Sequence, residues 1–527
     1  MLSVTYSAAT LGADGYEVRI ECSIKSSVPD FSIVGLPDAA IKESEKRIFT
    51  GSENSGIVIP PAEISINLAP ADKKKEGTAI ELALLTAIYK AISFFDCDTD
   101  NDAFIGEISF SGEIRPVRGV LGMTLAAIEN GKKRVFVPLA NLEEASVAYR
   151  DGVEIYGVPN IAVFASFMKK QGAALKKAEY NPYSALEEHV SELDMSQIKG
   201  QLFAKRAMTA AAAGAHNILL IGSPGSGKSM LAKRLPTIMP RISYREALES
   251  TKIYSCAGML DEKMPFILER PFRSPHHSLS TAALVGGGKV PMPGEISLAH
   301  NGVLFLDEFP EFRKDSLEAL RQPLEDRVVT ITRAAGRFTY PASFMLVCAM
   351  NPCRCGYYGS QVKKCTCTPK SVQEYLSKIS GPMLDRIDIQ VEMPALSFGE
   401  LSGSARGESS AVIRERVEST REICRERYRR AGFADYDSRS NSMMGPDELR
   451  EFCRLDEGCV KFLEGVFEKI NLSARAYDRI LRVARTLRDM EAAQSGKSEE
   501  DGEVGGKIKI QNIAEAVQMR ALDKKYF

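Results

Sequence analysis

One short stretch constrains this chain more than any other: an apolar run that leads directly into a glycine-rich loop. It covers residues 217–229 and reads NILLIGSPGSGKS. Glycines let the backbone curl so that successive amide N–H groups face one anion, and the following helix presents its positive end to the same anion. The pattern G-x-x-x-x-G-K-S, with a strand before it and a helix after it, predicts a P-loop that binds nucleotide phosphates.

Lys228 and Ser229 close this loop. In a P-loop the lysine reaches the β- and γ-phosphates, and the serine hydroxyl binds Mg²⁺. The alternative is a glycine-rich turn that binds no nucleotide. The residues expected to contact ATP are Gly222, Ser223, Pro224, Gly225, Ser226, Gly227, Lys228 and Ser229.

A second apolar run, at residues 302–306, ends in the acidic pair Asp307 and Glu308. A buried parallel strand that stops at two carboxylates behind a P-loop is the Walker B arrangement. We expect Asp307 to hold Mg²⁺ and Glu308 to polarise the attacking water. The alternative is an ordinary strand with a solvated end.

The composition limits the remaining classes of protein. The 527 residues have room for about three domains of ~150 residues each. The 68 Lys and Arg residues nearly balance 69 Asp and Glu residues, so a nucleic acid would have to meet local basic loops. The chain has no run of eighteen apolar residues, and acidic residues lie where a secretory peptide is basic and then apolar. We therefore expect a cytoplasmic protein with no membrane partner.

The hydrophobic pattern divides the chain into regions. Residues 1–170 alternate short β-like runs with helical ones, which predicts an α/β domain. Residues 171–195 lose this periodicity and become polar, as a connector does. The P-loop domain follows at 196–397. Helical patterns dominate 398–527, interrupted by a polar segment at Ser495–Gly506 that we expect to be a flexible loop.

Four of the eleven cysteines crowd into one segment with the spacing C-x-C-x9-C-x-C. They are Cys353, Cys355, Cys365 and Cys367. Four thiolates in a tetrahedral array suit Zn²⁺, so we predict a zinc knuckle. Because C-x-C is tighter than the usual zinc spacing, free thiols and an iron–sulfur cluster remain as alternatives. The odd number of cysteines argues against a disulfide framework.

Segments between the P-loop and the acidic pair resemble one family closely. RPFRSPHHS at 270–278, LVGGG at 284–288 and PGEISLAHNG at 293–302 are similar to the magnesium-chelatase-like AAA+ ATPases of the bacterial ComM/YifB group. The resemblance covers essentially the full chain. It implies an AAA+ core with a parallel sheet and a C-terminal α-helical lid. It also implies a hexameric, DNA-associated motor, such as a branch-migration helicase in recombination or natural transformation.

The front domain resembles the proteolytic domain of Lon, which has a ribosomal-protein-S5-like fold. The segments that carry this resemblance are Ile64–Asp72, Lys75–Gly77, Gly106–Ile108 and Arg118–Val120. Aligned on them, the nucleophile position falls on Ala79, or on Thr78 with a one-residue slip, and the lysine position falls on Leu121. A hydroxyl without an activating amine is a poor nucleophile, so we expect a non-proteolytic scaffold. The alternative pairs Thr78 with a lysine from residues 73–75.

The AAA+ resemblance assigns roles to further residues. Asn351, at the end of the apolar run 343–351, matches sensor 1, which contacts the nucleophilic water or the γ-phosphate. Arg386 matches the arginine finger that a neighbouring subunit donates, and it implies a ring. Its alternative is an internal pair with an aspartate beside it. Arg475 matches sensor 2 of the lid, and Arg479 is its competitor.

Residues 327–340 read as two β-runs joined by a turn of small residues. In related ring motors a hairpin at this place touches DNA, so Arg333 and Arg337 are the expected contacts with single-stranded or branched DNA. Phosphate contacts would make binding salt-dependent and indifferent to sequence. The alternative is that the arginines face solvent. We expect a structural or pore-loop role for His276 and His277, with metal binding as the alternative.

Three rivals to a DNA motor remain. A magnesium chelatase subunit drives metal insertion into a porphyrin, and we expect such a subunit to lack the Lon-like front domain. An ATP-dependent peptidase is disfavoured by Ala79 and Leu121. A nucleotide-gated scaffold that moves nothing is disfavoured by the presence of Lys228 and Glu308.

Overall fold

The structure is a computed structural model. None of the helices that it describes combines the length and the apolar character that a membrane span requires. It describes residues 1–73, 75, 77–95, 97–179, 181–188, 191–260, 264–288, 291–333, 336–360, 363–395, 407–470, 473–496, 499–500, 502–520, 522 and 526.

The N-terminal region is a mixed α/β structure with two four-stranded sheets, in agreement with its alternating pattern. The strands of the first sheet, in spatial order, are Leu2–Leu11, Asp14–Lys25, Glu63–Ala69 and Asp30–Val34. Those of the second are Lys176–Lys177, Glu154–Val158, Arg134–Pro138 and Asp102–Phe104. A small ribbon pairs Glu107–Ile108 with Ile114–Arg115. The segment 171–195 thus supplies an edge strand of the second sheet, where the sequence predicts only a connector.

One helix, Glu81–Ala91, is buried along almost its whole length and packs on the first sheet. Its sequence, ELALLTAIYKA, has apolar residues on every side, which is typical of a helix in a protein interior. Its one buried carboxylate, Glu81, accepts hydrogen bonds from Arg47 and Ser44. The other helices of the region are Ala39–Lys42, Ser44–Asn54, Val120–Glu129, Leu142–Ser146, Ile161–Met168 and Pro182–Glu188.

The central region is built on a five-stranded parallel sheet. In spatial order its strands are Phe272–Arg273, Val303–Leu306, Met345–Met350, Ile218–Gly222 and Ile389–Met393. The three middle strands are entirely buried because helices cover both faces of the sheet. Their continuous apolar runs agree with the predicted parallel sheet.

Helices and two ribbons surround this sheet. One ribbon pairs Gly286–Gly287 with Met292–Pro293, and the other pairs Val328–Arg333 with Gly336–Pro341. The helices are Leu202–Gly214, Lys228–Lys233, Leu235–Ile238, Tyr244–Ala257, Thr281–Val285, Glu295–Leu298, Lys314–Ala319, Arg321–Asp326, Pro369–Leu376 and Gly381–Leu384.

The C-terminal region is helical, as its pattern predicts, while the expected boundary at 397/398 lies outside the described residues. Its helices are Ser410–Arg430, Pro446–Phe452, Glu457–Ile470, Ala474–Ser495 and Ile510–Gln518. The segment predicted as a flexible loop contains a ribbon that pairs Glu499–Glu500 with Glu503–Val504. Arg485 explains this order, because its guanidinium donates to the carbonyl oxygens of Gly505 and Gly506 at 2.9 and 2.8 Å.

The front region packs against the helix Tyr244–Ala257 of the central region. Lys252 pairs with Asp14, and the Ser255 hydroxyl donates to Glu144. The Cys256 thiol lies 3.1 Å from the carbonyl oxygen of Gly12. The turn that joins the first two strands therefore packs against the central region.

A buried polar network joins the core to the C-terminal helices. Asp388, which is 2% exposed, accepts from Arg479 at 2.6 Å and lies 3.1 Å from His216 Nδ1. The second ring nitrogen of His216 lies 2.8 Å from the Thr486 hydroxyl. Burial opposes ionisation of Asp388, but Arg479 and His216 hold the pKa of this carboxyl below its ordinary value of 3.8.

Replacing this carboxylate is expected to destabilise the fold. Asp388→Asn leaves Arg479 without its anion, and breaking a buried pair in this way costs about 3 kcal/mol. Because the folded pKa is depressed, the contribution is complete at neutral pH and declines as pH falls below 3.8. Denaturant unfolding at pH 7 should show the loss. Asp385→Asn, at a partly exposed partner of Arg475, should cost less than about 1 kcal/mol. Equal losses for both variants would contradict the prediction.

Candidate active site

The P-loop follows the buried strand Ile218–Gly222 and leads into the helix Lys228–Lys233. Gly225 and Gly227 have φ values of +79° and +91°, a left-handed conformation that favours glycine. At Gly222, a side chain would place its Cβ atom 2.5 Å from the carbonyl oxygen of Met393. The glycines of the motif are therefore required by backbone geometry and close packing.

Two groups in the loop fit a phosphate. Lys228 is 8% exposed, and its ammonium donates to the carbonyl oxygens of Gly222 and Ser223 at 2.7 and 3.0 Å. Burial lowers the pKa of Lys228, an effect that the Asp307 carboxylate opposes. The Ser226 hydroxyl is buried without a hydrogen-bond partner among the described residues. A cation held by neutral oxygens and an unpartnered donor are suited to receive anionic oxygens.

The Walker B residues lie at the same edge of the sheet. Asp307 follows the strand Val303–Leu306, and its carboxylate accepts from the Ser229 hydroxyl at 2.7 Å. A hydroxyl and a carboxylate oxygen in contact are suitable hard ligands for Mg²⁺. Asn351, after the neighbouring strand, accepts from the Lys228 ammonium at 3.1 Å. Parallel strands thus bring these predicted residues together at their carboxyl ends.

Glu308 is next to this group, and its backbone has the left-handed φ of +50°. Its carboxylate lies 3.1 Å from His277 Nδ1. His276 stacks on the His277 ring and contacts Ser278. The sequence pattern does not predict this contact, because His277 and Glu308 are 31 positions apart in the chain. The structure therefore adds His277 as a contact of Glu308, the predicted base.

The four cysteines predicted to bind zinc converge in the structure. Their sulfur atoms all lie within 4.8 Å of one another, and Cys353 is buried. The backbone N–H of Thr366 lowers the pKa of the Cys355 thiol to about 5. The cluster is a potential metal site, distinct from the pair of histidines beside Glu308.

Arg386 and Arg475 lie at the opposite end of the sheet from Lys228. The Asn217 side chain, just before the P-loop strand, donates to the carbonyl oxygen of Arg386 at 2.9 Å. Five strand residues, about 16 Å, separate that end from the P-loop. Arg386 therefore does not reach the phosphate site of its own chain, and neither does Arg475, which pairs with Asp385 at 3.0 Å.

The partners of these arginines differ from those weighed in the sequence. Arg386 pairs with Glu325 and donates to the carbonyl oxygen of Pro382, instead of pairing with Asp385 or Asp388. Its Nε is buried without a partner among the described residues. Arg479, the competitor for sensor 2, belongs to the buried network around Asp388.

The predicted arginine hairpin is present as the ribbon Val328–Arg333 and Gly336–Pro341. Val329, Ile331 and Tyr340 are buried at its base, whereas Arg337 is exposed. The turn at 334–335 and the side chain of Arg333 lie outside the described residues. The hairpin packs on the glycine ribbon, since a Cβ atom at Gly286 would lie 2.9 Å from Ile331. The two ribbons therefore pack together as one unit.

Thr78 and Lys75, two of the residues weighed for peptidase chemistry, are not arranged as a nucleophile and a base. The Thr78 hydroxyl donates to Glu107. The buried Lys75 ammonium contacts the carbonyl oxygens of Gly35, Leu68 and Pro70. Leu121, at the expected lysine position, is fully buried. Lys74 lies outside the described residues; among those described, no amine is placed to activate the threonine.

Comparison with known proteins agrees with this architecture. A family profile described as magnesium chelatase, subunit ChlI, matches residues 194–401. The profile of subunit ChlI of Mg-chelatase matches residues 20–141, and that of the ChlI C-terminal part matches residues 407–520. With the parallel sheet and the P-loop, these matches define the class as an AAA+ ATPase.

Full-length relatives identify the family. YifB of Escherichia coli (strain K12) is 37% identical over 525 residues, which cover 99% of this chain and 98% of YifB. Competence protein ComM of Haemophilus influenzae is 39% identical over 498 residues, 94% of each chain. A Mycobacterium tuberculosis (strain ATCC 25618 / H37Rv) protein is 41% identical over 494 residues, 93% of this chain and 95% of that one. The chain belongs to the ComM/YifB family of magnesium-chelatase-like ATPases, which confirms the family predicted from its motifs.

Proposed function

We propose that this protein hydrolyses ATP at sites shared between the subunits of a ring and uses the energy to move DNA. The observation that carries the proposal is the division of the catalytic groups between two ends of one sheet. Lys228, Asp307, Glu308 and Asn351 meet at the carboxyl end, whereas Arg386 lies at the amino end. A site of this kind is complete only when a second subunit supplies the arginine.

The residues at the carboxyl end would bind ATP and direct its hydrolysis. Lys228 would exchange its neutral acceptors for the β- and γ-phosphate oxygens. Glu308, held by His277, would orient and polarise the attacking water, and Asn351 would contact that water or the γ-phosphate. Mg²⁺, held through Ser229 and Asp307, would neutralise charge on the phosphates when bound.

The position of Arg386 supports self-association. An arginine donated from a neighbour stabilises the charge on the transferring phosphoryl group. Arg386, whose Nε has no partner among the described residues, and Arg475, which forms an exposed ion pair, both offer guanidinium groups at the amino end of the sheet. We propose a closed ring, with six subunits as the family resemblance implies.

DNA is the proposed polymer in the ring. The arginine hairpin and the glycine ribbon pack together as one unit that carries the exposed Arg337. The name of the H. influenzae relative, competence protein, supports a role in DNA uptake or recombination. A branch-migration helicase is therefore the specific activity that we propose, acting on single-stranded or branched DNA in the cytoplasm.

ATPase rates with different DNA substrates test this proposal. The rate should rise with branched DNA more than with single-stranded or duplex DNA. A rate that no DNA changes would overturn the DNA motor. It would favour a chelatase-type subunit, a candidate that remains because all three family profiles carry that subunit's name.

The hairpin arginine should carry a phosphate contact. Arg337→Ala is expected to weaken DNA binding for all sequences and to reduce the salt slope by about 0.7 to 0.9 per lost contact. Fluorescence anisotropy at several salt concentrations measures both quantities. Arg450→Ala, at an exposed arginine of the C-terminal region, is the matched control and should leave the slope unchanged. Identical slopes for the two variants would remove Arg337 from the DNA interface.

The four cysteines would bind one zinc ion. The sulfur of Cys353 lies 3.3 Å from that of Cys355 and 3.7 Å from that of Cys365. Zinc–sulfur bonds of about 2.3 Å in a tetrahedron place the sulfur atoms about 3.8 Å apart, which these separations approach. A disulfide needs about 2.05 Å, so none of these pairs is bonded.

A further inference from the structure

The cysteine loop lies directly on the P-loop. Cys353 is two residues beyond Asn351, which contacts the Lys228 ammonium. Gly356 turns the loop with a φ of +86°, and its N–H donates to the Cys353 carbonyl oxygen at 3.0 Å. A Cβ atom at Gly356 would lie 2.5 Å from Pro224 Cδ. The metal-binding loop and the phosphate loop are therefore in contact without room for a methyl group.

The loop depends on its cysteines for its shape. Between Asn351 and Thr368 the described residues form turns but no helix or strand. Beyond the cluster, Thr368 caps the helix Pro369–Leu376 through its hydroxyl, which accepts from the Ser371 N–H at 3.2 Å. A segment with few backbone hydrogen bonds of its own is ordered by a metal that joins its two ends.

We propose that the zinc-bound loop is a brace for the P-loop: metal bound by the four cysteines holds Gly356 against Pro224 and keeps the phosphate site open for ATP. This inference rests on the proposed ATP-binding function. Loss of the metal releases the loop, and the P-loop and Asn351 lose their support together. The predicted consequence is a nucleotide affinity that depends on zinc, although no cysteine contacts the nucleotide.

Zinc content and nucleotide affinity of the full-length protein test the brace. Metal analysis should find about one zinc per chain in the wild type and clearly less in Cys365→Ser. A fluorescent ATP analogue should bind to Cys365→Ser, and to chelator-treated wild type, at least about tenfold more weakly. Added Zn²⁺ should restore the affinity of the treated wild type but not of the variant. Circular dichroism checks that the variant is folded.

A pair of glycine variants tests the contact between Gly356 and Pro224 while the zinc remains bound. Gly356→Ala should retain zinc and still bind the analogue more weakly, because its methyl group collides with Pro224. Gly359→Ala is the matched control. Gly359 has a similar φ of +74° in the same loop, but its Cβ atom would meet nothing within 4 Å. Both variants therefore carry the backbone strain of a left-handed alanine, but only Gly356→Ala also places a methyl group against Pro224.

The outcomes distinguish the brace from the proposed function. Wild-type protein without zinc, or analogue binding that survives zinc removal, overturns the inference alone. Equal affinities of Gly356→Ala and Gly359→Ala also overturn it. Zinc-loaded wild type that binds no nucleotide overturns the proposed function, and the brace with it. Lys228→Ala provides the reference for lost nucleotide binding with zinc retained.

Discussion

Lys228→Ala should reduce ATP hydrolysis by about 10²- to 10³-fold, the loss expected when one preorganised charge donor leaves a phosphate site. The ammonium is 8% exposed and contacts three neutral oxygens at the carboxyl end of the sheet. No other lysine of the P-loop helix can replace it, because Lys233 points to solvent. Steady-state phosphate release, with and without DNA, measures the effect.

Two variants sharpen this test. Lys233→Ala, an exposed lysine of the same helix, should hydrolyse ATP at the wild-type rate. Glu308→Gln should bind ATP but hydrolyse it slowly, because the amide cannot polarise the water. Hydrolysis by Lys228→Ala at the wild-type rate would show that the P-loop segment is only a glycine-rich turn that binds no nucleotide. That is the alternative stated for this segment in the sequence analysis.

The sequence predicts those parts of the site that can be recognised from a short stretch of neighbouring residues. Three apolar runs end at Gly222, Asp307 and Asn351, and each is a buried strand of the parallel sheet. Because parallel strands end at a common edge, their last residues meet without further information. The cysteine cluster is local as well, since its four ligands lie within fifteen residues of chain.

The sequence does not predict contacts between distant segments. His277 meets Glu308, and Gly356 meets Pro224, only because loops of different strands fold onto the same edge. The ribbon that pairs Glu499–Glu500 with Glu503–Val504 has a polar sequence typical of a flexible loop, but the buried Arg485 binds the carbonyl oxygens of Gly505 and Gly506, directly after the ribbon. Such order is set by a partner elsewhere in the chain, which local composition does not reveal.

Arg386→Ala should reduce hydrolysis about 10³-fold while ATP binding is retained, because an arginine finger acts on the transition state. The expected loss is too large for the internal pair with Glu325, whose carboxylate is 63% exposed and contributes less than about 1 kcal/mol. Glu325→Gln is the matched control, since it removes that pair and leaves Arg386 in place. Its hydrolysis rate should remain close to that of the wild type.

Mixing two inactive variants determines whether Arg386 acts on its own chain or on a neighbour. In a mixed ring, an Arg386→Ala subunit keeps Lys228, and a Lys228→Ala neighbour supplies the missing arginine. Random equal mixing makes about one interface in four complete, so part of the activity should return. If Arg386 served its own chain, each subunit of the mixture would lack one group and no activity would return. Recovery on mixing therefore requires the shared site, and a mixture as inactive as its components rules it out.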